Sequence, residues 1–355
     1  MRLLIDIGHP SHVHFFKNII TSMESKGHNI IITSRNKDVA LDLLDAYNLS
    51  YFLVGESKKG FLNKALNVLS VERNIYKIAK KFKPDVFLGA SGNFYVAHVA
   101  TLLGKPSIIF EDSEPDLSVR LLCKPFVTYF FTPELFFLNL GQKKHIRYKG
   151  YKELAYLHPN YFHPDSQILT ELNLEHDEKF TLFRFVDWAA VHDVGQSGMD
   201  GEWKHKFVHE MSKYGKVFIS SESKLPSEFA QYELKISPAK LHDLLYFSHI
   251  FICDSQTMAT EASILGVPTI RSNSFVGTMS NFKELQEKYG LLYSYKDSQK
   301  AYDKAVELQN ENDVKIKWNM QKMRLLEDKI DVTSFVVELL AGYPQSCIDM
   351  IKHKR

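Results

Sequence analysis

The stretch "FICDSQTMATEASILGVPTI" occupies residues 251–270 and has the pattern of one strand–helix–strand unit. An apolar run leads into Asp254-Ser255-Gln256-Thr257, and a short amphipathic segment carrying Glu261 follows. Gly266-Val267-Pro268 then ends that segment before a second apolar run. Continuously apolar strands separated by helices are typical of parallel sheets that are covered on both faces. The stretch therefore predicts a βαβ unit of an α/β domain.

The same alternation recurs along the chain in two sets. Strand-length apolar runs of the first set lie at 2–8, 29–34, 51–55, 85–90, 107–112, 128–133 and 146–150. Those of the second set lie at 180–185, 216–222, 233–237, 250–254, 269–273 and 291–295. Segments of helical period separate the runs, the longest at 297–328. Together they predict an α/β protein of two Rossmann-like, doubly wound parallel-sheet domains that face a central cleft at the carboxyl ends of their strands.

Domain boundaries follow from where the alternation stops. Residues 151–179 break the pattern with Pro159, Pro164 and mixed polarity, and alternation restarts at 180. We expect a first domain at 1–158, a linker at 159–178 and a second domain at 179–330. A C-terminal helix and a basic tail should occupy 331–355.

Composition excludes several classes of protein. The 355 residues are 45% apolar and 24% charged with a net charge of +2, which is typical of a globular protein and gives no reason to expect nucleic-acid binding. Three widely spaced cysteines without a CxxC pair favour a reducing compartment over disulfides or a zinc site. No apolar run approaches the length of a membrane span. We expect a cytoplasmic protein without a resident metal or cofactor.

The loop after the strand at 250–254 is a candidate phosphate site. Helix N-termini offer free backbone N–H groups and a favourable dipole to phosphate. Ser255, Gln256 and Thr257 would meet a diphosphate beside Asp254, and Glu261, one turn further on, would reach the hydroxyls of a ribose. The alternative is an ordinary capped helix with Glu261 on a solvent-exposed face.

The loop "DIGHPSHVHFF" (6–16) also joins a strand to a helix. Gly8 allows the turn, and His9 and His12 are candidate site residues. The histidines lack the spacing and the acidic or cysteine partners of a metal site, so none is expected there. A histidine in such a loop suits a general base. The alternative is a polar loop that caps the helix.

Two further strand ends carry candidate residues. Ser91, Gly92 and Asn93 end one strand of the first domain, and Glu111 with Asp112 ends the next. Buried carboxylates need partners, so this acidic pair should meet either sugar hydroxyls or a basic group.

Two loop or surface segments remain open to more than one interpretation. The glycine-rich stretch "RFVDWAAVHDVGQSGMDGEW" (184–203) places Arg184 and His192 where they would grip phosphate or close the cleft, although a plain loop fits equally. "SKKGFLNKALNVL" (57–69) mixes lysines with apolar residues. It fits an amphipathic helix on the sheet or, alternatively, peripheral contact with the inner face of a membrane.

These motifs resemble the GT-B superfamily of nucleotide-sugar enzymes. Over most of its length the chain is similar to an uncharacterised prokaryotic domain-of-unknown-function family assigned to that superfamily. The stretches that carry the resemblance are "GHPSHVHFFKN" (8–18), "YKGYKELAYLHP" (148–159), "VHDVGQSG" (191–198) and "DSQTMATEA" (254–262). The resemblance implies two Rossmann-like domains with the donor nucleotide bound by the second.

Two better-understood groups of that superfamily suggest different reactions. Ser11-His12-Val13 and Phe110-Glu111-Asp112-Ser113 resemble motifs of the lipid-II-forming GlcNAc transferase, which implies His12 as base or phosphate contact and Glu261 as ribose ligand. Asp254 and Glu261 keep a spacing found in the non-hydrolysing UDP-GlcNAc 2-epimerase. However, Ser91-Gly92 stands where that family has a catalytic Asp, and Arg184 lacks an adjoining His.

The leading hypothesis is therefore a metal-independent, inverting glycosyltransferase. It would use a nucleoside-diphosphate sugar, which we expect to be UDP-linked, and a glycan or lipid-linked acceptor. His12 would be the base, with the acceptor near Glu111 and Asp112, and Arg184 or Arg271 would offset the charge of the leaving nucleotide. A sugar-nucleotide epimerase and a non-catalytic sugar-nucleotide-binding protein are the alternatives.

Overall fold

The computed structural model of the protein describes residues 1–56, 61–114, 119–186, 198–221, 224–274 and 276–352. Of residues 61–66 and Arg120 it describes the backbone alone. The chain divides into two compact units. Unit 1 comprises Met1–Tyr161 and Ile330–Arg355, and unit 2 comprises Phe162–Lys329.

Unit 1 is built on a seven-stranded parallel sheet in the order β3-β2-β1-β4-β5-β6-β7. Its strands are β1 (Arg2–Ile7), β2 (Asn29–Asn36), β3 (Tyr51–Glu56), β4 (Val86–Ala90), β5 (Ser107–Phe110), β6 (Tyr129–Pro133) and β7 (His145–Tyr148). Its first helices are α1 (Pro10–Ser25), α2 (Ala40–Ala46), α3 (Phe61–Phe82), α4 (Phe94–Leu102) and α5 (Leu154–Leu157), with a π-helical turn at Val119–Cys123. All seven strands coincide with the apolar runs of the first set.

Unit 2 is built on a five-stranded parallel sheet in the order β12-β11-β10-β8-β9. Its strands are β8 (Phe180–Phe185), β9 (Lys216–Ser221), β10 (Ile250–Cys253), β11 (Thr269–Ser272) and β12 (Leu292–Tyr295). Its helices are α6 (Gln167–Glu171), α7 (Gly201–Met211), α8 (Leu241–Phe247), α9 (Thr257–Leu265), α10 (Ser280–Glu287), α11 (Ser298–Asn310) and α12 (Val314–Asp328). Two 3₁₀ turns lie at Ser227–Tyr232 and Pro238–Lys240.

The two Rossmann-like parallel sheets confirm the predicted fold class. Burial explains the two parallel sheets: every residue of β4 and β5 is buried, as expected for strands with helices on both faces.

The strand–loop–helix junction at α1 also follows from its sequence. His9 caps the helix by accepting the N–H of Ser11 on its side chain, and Pro10 occupies the first turn, where no N–H is needed.

The C-terminal segment belongs to unit 1. The chain returns there at Ile330, whose N–H donates to the carbonyl of Lys149. Two helices follow, α13 (Val332–Ala341) and α14 (Gln345–Lys352). Thr333 of α13 donates its hydroxyl to the carbonyl of Ala155 at 2.7 Å, which joins the C-terminal helices to α5.

Several predicted boundaries differ from the observed ones. The expected linker at 159–178 is divided between the units and contains α6, because Ile168 and Leu169 are buried and pack as helix. The expected strand at 233–237 forms a single bridge, from Ile219 to Glu233, since a 3₁₀ turn follows at Pro238, which has no N–H to pair. The helix expected at 297–328 is two helices, separated where Glu311 is extended. The segment expected as a basic tail includes α14.

Among the residues that the structure describes, no helix combines the length and the apolarity needed to cross a bilayer.

The turn before β9 offers a test of the packing of unit 2. A Cβ atom on Gly215 would lie 2.1 Å from the carbonyl oxygen of Lys179, so Gly215→Ala must push two backbone segments apart. We expect this variant to lose about 1–3 kcal/mol of stability, measured from the midpoint of urea unfolding.

Gly201→Ala is the matched control. A Cβ atom at Gly201 meets no atom within 4 Å, and the residue is the first of α7, where alanine is favourable. Equal midpoints for both variants would contradict the packing described around Gly215.

Candidate functional site

In unit 1 the carboxyl ends of β1, β4 and β5 lie side by side. The strand order reverses between β1 and β4, because β2 lies on the other side of β1. Such a switch point is where ligands bind in open α/β sheets. The predicted residues after these three strands, Gly8–His12, Ser91–Asn93 and Glu111–Asp112, are therefore brought to one edge.

Asp6 organises this edge. Its fully buried carboxylate accepts hydrogen bonds from Thr33 Oγ1 at 2.6 Å, Asn93 Nδ2 at 2.7 Å and Arg35 Nη2 at 3.2 Å. The Arg35 guanidinium also stacks 4.2 Å from the ring centre of Tyr95. Asp6 thus ties the ends of β1, β2 and β4 together. Neither Asp6 nor Arg35 was among the predicted site residues.

Gly8 is required by the position of Arg35. A Cβ atom at this position would lie 1.7 Å from Arg35 Nη2, so any other residue would displace the guanidinium. The N–H of Gly8 donates to Nδ1 of His12 at 3.3 Å.

That hydrogen bond defines the tautomer of His12. Because Nδ1 accepts from Gly8, the proton of the neutral ring lies on Nε2. Burial, followed by electrostatic interaction with His9 and Lys152, lowers the pKa of His12 well below its usual value. His12 is therefore neutral and equipped to donate a hydrogen bond from Nε2. Such a ring is poorly suited to accept a proton there.

Glu111 is the group at this edge whose protonation changes near neutral pH. Its buried carboxylate accepts three backbone N–H bonds, from Gly92 at 2.8 Å, Asp112 at 3.0 Å and Ser113 at 2.8 Å. Gly92 can present its N–H because it adopts a positive φ of 68°. Burial and the adjacent charge of Asp112 raise the pKa of Glu111 to about 7. A carboxyl group with that pKa can both release and accept a proton under physiological conditions.

Lys152 is the basic partner of the acidic pair. Its ammonium lies 2.7 Å from Asp112 Oδ2 and donates to Ser91 Oγ at 3.1 Å, and Ser91 in turn donates its hydroxyl to Asp112. Burial lowers the pKa of Lys152, but Asp112, Glu153 and Glu111 outweigh burial, so the net shift is upward. Lys152 stays charged. The sequence signal was its place in "YKGYKELAYLHP", a lysine among apolar residues just after a strand.

In unit 2 the predicted residues gather at the neighbouring ends of β8, β10 and β11. Asp254 is fully buried, and its Oδ1 accepts the N–H of Val186 at 2.8 Å. Its carbonyl accepts Asn273 Nδ2 at 2.9 Å. Lys204 Nζ lies 4.0 Å from Oδ2. Asp254 therefore joins the ends of β8, β10 and β11. This is a structural role, which does not need Asp254 to contact an anionic ligand.

Helix α9 begins three residues after Asp254, at Thr257. Ser255 Oγ accepts the N–H of Met258 at 3.4 Å, while Gln256 and Thr257 are partly exposed at the helix start. The first turn of this nine-residue helix therefore lies at the carboxyl end of β10. A phosphate site is expected at this position.

Glu261 is buried against His242. Its Oε1 lies 3.1 Å from His242 Nε2, and both side chains are almost fully buried. The alternative of a solvent-exposed Glu261 is therefore wrong, because α9 is packed on the side where Glu261 points. His242, from α8, was not predicted, and no motif in the sequence singled it out.

Arg271 is the most unusual side chain of unit 2. It is fully buried on β11, beside Cys253 in the strand register, and its guanidinium lies 3.6 Å from the ring centre of Phe282. Among the described residues, Nε, Nη1 and Nη2 of Arg271 have no hydrogen-bond partner. Burial lowers the pKa of Arg271 to about 10, so the group remains a cation. Burying a cation costs several kcal/mol unless a nearby anion or hydrogen-bond acceptor offsets the cost.

Of the two predicted residues in the stretch 184–203, the structure describes one. Arg184, at the end of β8, donates from Nη1 to Ser220 Oγ at 2.7 Å. His192 lies outside the described residues, as do Lys58 and Lys59 of the segment 57–69.

The raised pKa of Glu111 predicts a pH dependence of stability. Between the ordinary value of 4.5 and about 7 the folded protein holds this proton and the unfolded chain does not. Stability should therefore fall as pH rises through this window, by about 3 kcal/mol from this group. Urea unfolding at pH 4.5, 6 and 7.5 should show the fall in the wild type and a flatter profile in Glu111→Gln.

Glu287→Gln, which removes an exposed carboxylate in unit 2, controls for the change in charge. Its profile should keep the wild-type slope. If Glu111→Gln also keeps that slope, Glu111 does not titrate near neutral pH.

Comparison with solved structures shows the fold that these edges belong to. UDP-GlcNAc 2-epimerase from Neisseria meningitidis, solved with UDP-GlcNAc bound, superposes with a TM-score of 0.64 over 96% of this chain and 100% of its own, at 14% identity. The glycosyltransferase SsfS6 from Streptomyces sp. SF2575 superposes with a TM-score of 0.60 over 96% of this chain and 100% of its own, at 12% identity. The fold is thus shared with GT-B glycosyltransferases and with UDP-GlcNAc 2-epimerases.

Sequence comparison identifies the family. An uncharacterised protein of Methanocaldococcus jannaschii, MJ0665, is 24% identical over 278 residues, covering 75% of this chain and 80% of that protein. The family model described as "Protein of unknown function (DUF354)" matches residues 1–341. With the match covering nearly its full length, the chain belongs to the DUF354 family.

Proposed function

We propose that the protein is an inverting, metal-independent glycosyltransferase that uses a nucleoside-diphosphate sugar. Unit 2 binds the donor, which we expect to be UDP-linked, and unit 1 activates a hydroxyl group of a glycan or lipid-linked acceptor. The acceptor oxygen attacks the anomeric carbon, the bond to the nucleotide breaks, and a carboxylate of unit 1 takes the hydroxyl proton. The observation that carries the proposal is the buried guanidinium of Arg271, which has no hydrogen-bond partner in the part of the chain that the structure describes.

A diphosphate would supply negative charge and hydrogen-bond acceptors to the buried guanidinium of Arg271. The N-terminus of α9, with Ser255, Gln256 and Thr257, favours an anion, and Arg271 would pair with the negative charge that develops on the departing nucleotide. Because Arg271 is fully covered, an anion reaches it only after the residues around the guanidinium move apart. Glu261, held by His242, stays our candidate for the ribose hydroxyls.

The base is better assigned to Glu111 than to His12. The pKa of Glu111 is about 7, and its Oε2 accepts a single backbone N–H, which leaves a lone pair for a proton. His12 instead carries its proton on Nε2, so it suits donation to a ligand oxygen. Asp112, Ser91 and Lys152 would hold the acceptor hydroxyl beside Glu111, with His9 and Asn93 supporting the loops.

Epimerisation of the sugar nucleotide is the second candidate. Transfer needs one base, whereas moving a hydrogen at a ring carbon needs groups that both remove and return a proton. Glu111 and Asp112 place two carboxyl groups at one edge, which supports this alternative. The two reactions differ in their need for an acceptor.

Arg271→Met tests the donor site. Methionine keeps the contact with Phe282 but removes the cation, so the fold should be as stable as the wild type or more so. Millimolar UDP-GlcNAc should raise the thermal midpoint of the wild type and leave that of Arg271→Met nearly unchanged. Arg184→Met is the comparison variant, since Arg184 lies on β8, on the other side of β10 from Arg271.

The structural alternative gives the opposite pattern. If Arg271 only supports the fold, Arg271→Met will unfold at lower temperature and will still be stabilised by the nucleotide as the wild type is.

The assignment of the base predicts a contrast between two conservative variants. Glu111→Gln cannot accept a proton and should lose roughly 10²–10⁴-fold in turnover. His12→Gln retains an N–H donor and should stay within about tenfold of the wild type. NMR of UDP-GlcNAc, incubated with and without an alkyl glycoside acceptor, measures the rates.

The same spectra separate the candidates. Loss of donor only when the acceptor is present indicates transfer, and a new sugar nucleotide without acceptor indicates epimerisation. A Glu111→Gln variant as active as the wild type would refute the base assignment.

A further inference from the structure

A cluster of exposed apolar side chains lies on unit 1, away from the strand ends described above. It comprises residues of α3, of α4 and of the π-helical turn with the loop after it. We call these five residues the apolar patch: Leu69 (66% exposed), Leu102 (71%), Leu121 (61%), Leu122 (41%) and Phe126 (42%). Exposed apolar side chains that occur singly need no explanation, but a contiguous group marks an interaction surface.

Contacts at α4 bring members of the patch together. Leu69 and Leu102 line the same surface depression, together with Tyr76. Leu122 and Phe126 contact His98 of α4, and Leu121 precedes Leu122 in the π-helical turn. His98 Nε2 lies 3.0 Å from the carbonyl oxygen of Leu122, and the His98 and Phe126 rings are 4.4 Å apart.

Three basic residues lie close to members of the patch, and the partly exposed carboxylate of Asp85, which lies near Lys105, is paired with Arg2. Arg73 lines the depression beside Leu69, and Lys105 follows Leu102 by three residues; both are exposed. Lys124 lies between Leu122 and Phe126 and is partly exposed. Glu72, which also borders the depression, is mostly buried and pairs with His98 at 2.6 Å.

We propose that the apolar patch docks unit 1 on an anionic membrane surface. Leucine and phenylalanine side chains insert at the boundary between headgroups and acyl chains, and nearby lysine and arginine side chains attract anionic lipid. A second copy of the chain fits the surface less well, because a two-fold interface would bring the same cations together. The inference concerns where the protein works and does not depend on the proposed reaction.

Co-sedimentation with lipid vesicles tests the proposal. The wild-type protein should bind vesicles of phosphatidylcholine mixed with phosphatidylglycerol and should bind pure phosphatidylcholine much less. The double variant Leu102→Ser/Leu121→Ser and the double variant Arg73→Glu/Lys105→Glu should each weaken binding about tenfold or more.

A second exposed stripe provides the matched control. Ile316 and Met320 on α12 of unit 2 are 63% and 66% exposed, so Ile316→Ser/Met320→Ser removes a similar apolar surface elsewhere. This variant should bind anionic vesicles as the wild type does. Because all substituted side chains are exposed, the variants should retain the wild-type circular dichroism spectrum.

Three results would overturn the proposal. The first is the absence of wild-type binding to anionic vesicles, and the second is equal binding by the patch variants. The third is a wild-type dimer in sedimentation velocity that Leu102→Ser/Leu121→Ser dissociates, since the patch would then join two copies of the chain.

Discussion

The burial of the Asp6 carboxylate is the constraint on which the edge of unit 1 depends. A buried carboxylate is tolerated only when its oxygens are satisfied, and Asp6 is satisfied by side chains from β2 and from the loop after β4. Arg35, held in this way, leaves room for nothing larger than glycine at position 8. Gly8 then orients His12. One buried charge thus positions the turn at Gly8 and the ring of His12.

Charge compensation distinguishes the two units. In unit 1 the acids have partners: backbone N–H groups hold the buried Glu111, and Lys152 holds the partly exposed Asp112. In unit 2 the buried Arg271 has no hydrogen-bond partner among the described residues. A set of acids with one pKa near neutrality suits proton transfer, and an uncompensated cation suits an anionic ligand. This division fits a base in one unit and a nucleotide diphosphate in the other.

The sequence predicted the strands well because buried parallel strands are continuous apolar runs with clear boundaries. The strand ends followed from them, and so did the grouping of Ser91, Glu111 and Asp112. The predictions of secondary structure were wrong where the local sequence pattern does not determine whether a segment joins the sheet. The segment 233–237 has a strand-like composition, but pairing needs a neighbour in the sheet.

Partners distant in sequence could not be predicted. Lys152 meets Asp112 forty residues away, and His242 meets Glu261 from another helix. The tautomer of His12 depends on one backbone N–H, and no composition or spacing reveals it. Side-chain protonation was therefore the least predictable part of the site. The protonation of these side chains is also the reason why we propose Glu111, and not His12, as the base.

We propose that unit 2 binds a nucleoside diphosphate, and calorimetric titration of the wild-type protein with UDP, GDP and dTDP is the decisive test. We expect one nucleotide, UDP, to bind with micromolar affinity, and that affinity to be the same with and without magnesium. If none of the three binds at millimolar concentration, the account of Arg271 and of the start of α9 as a diphosphate site is wrong.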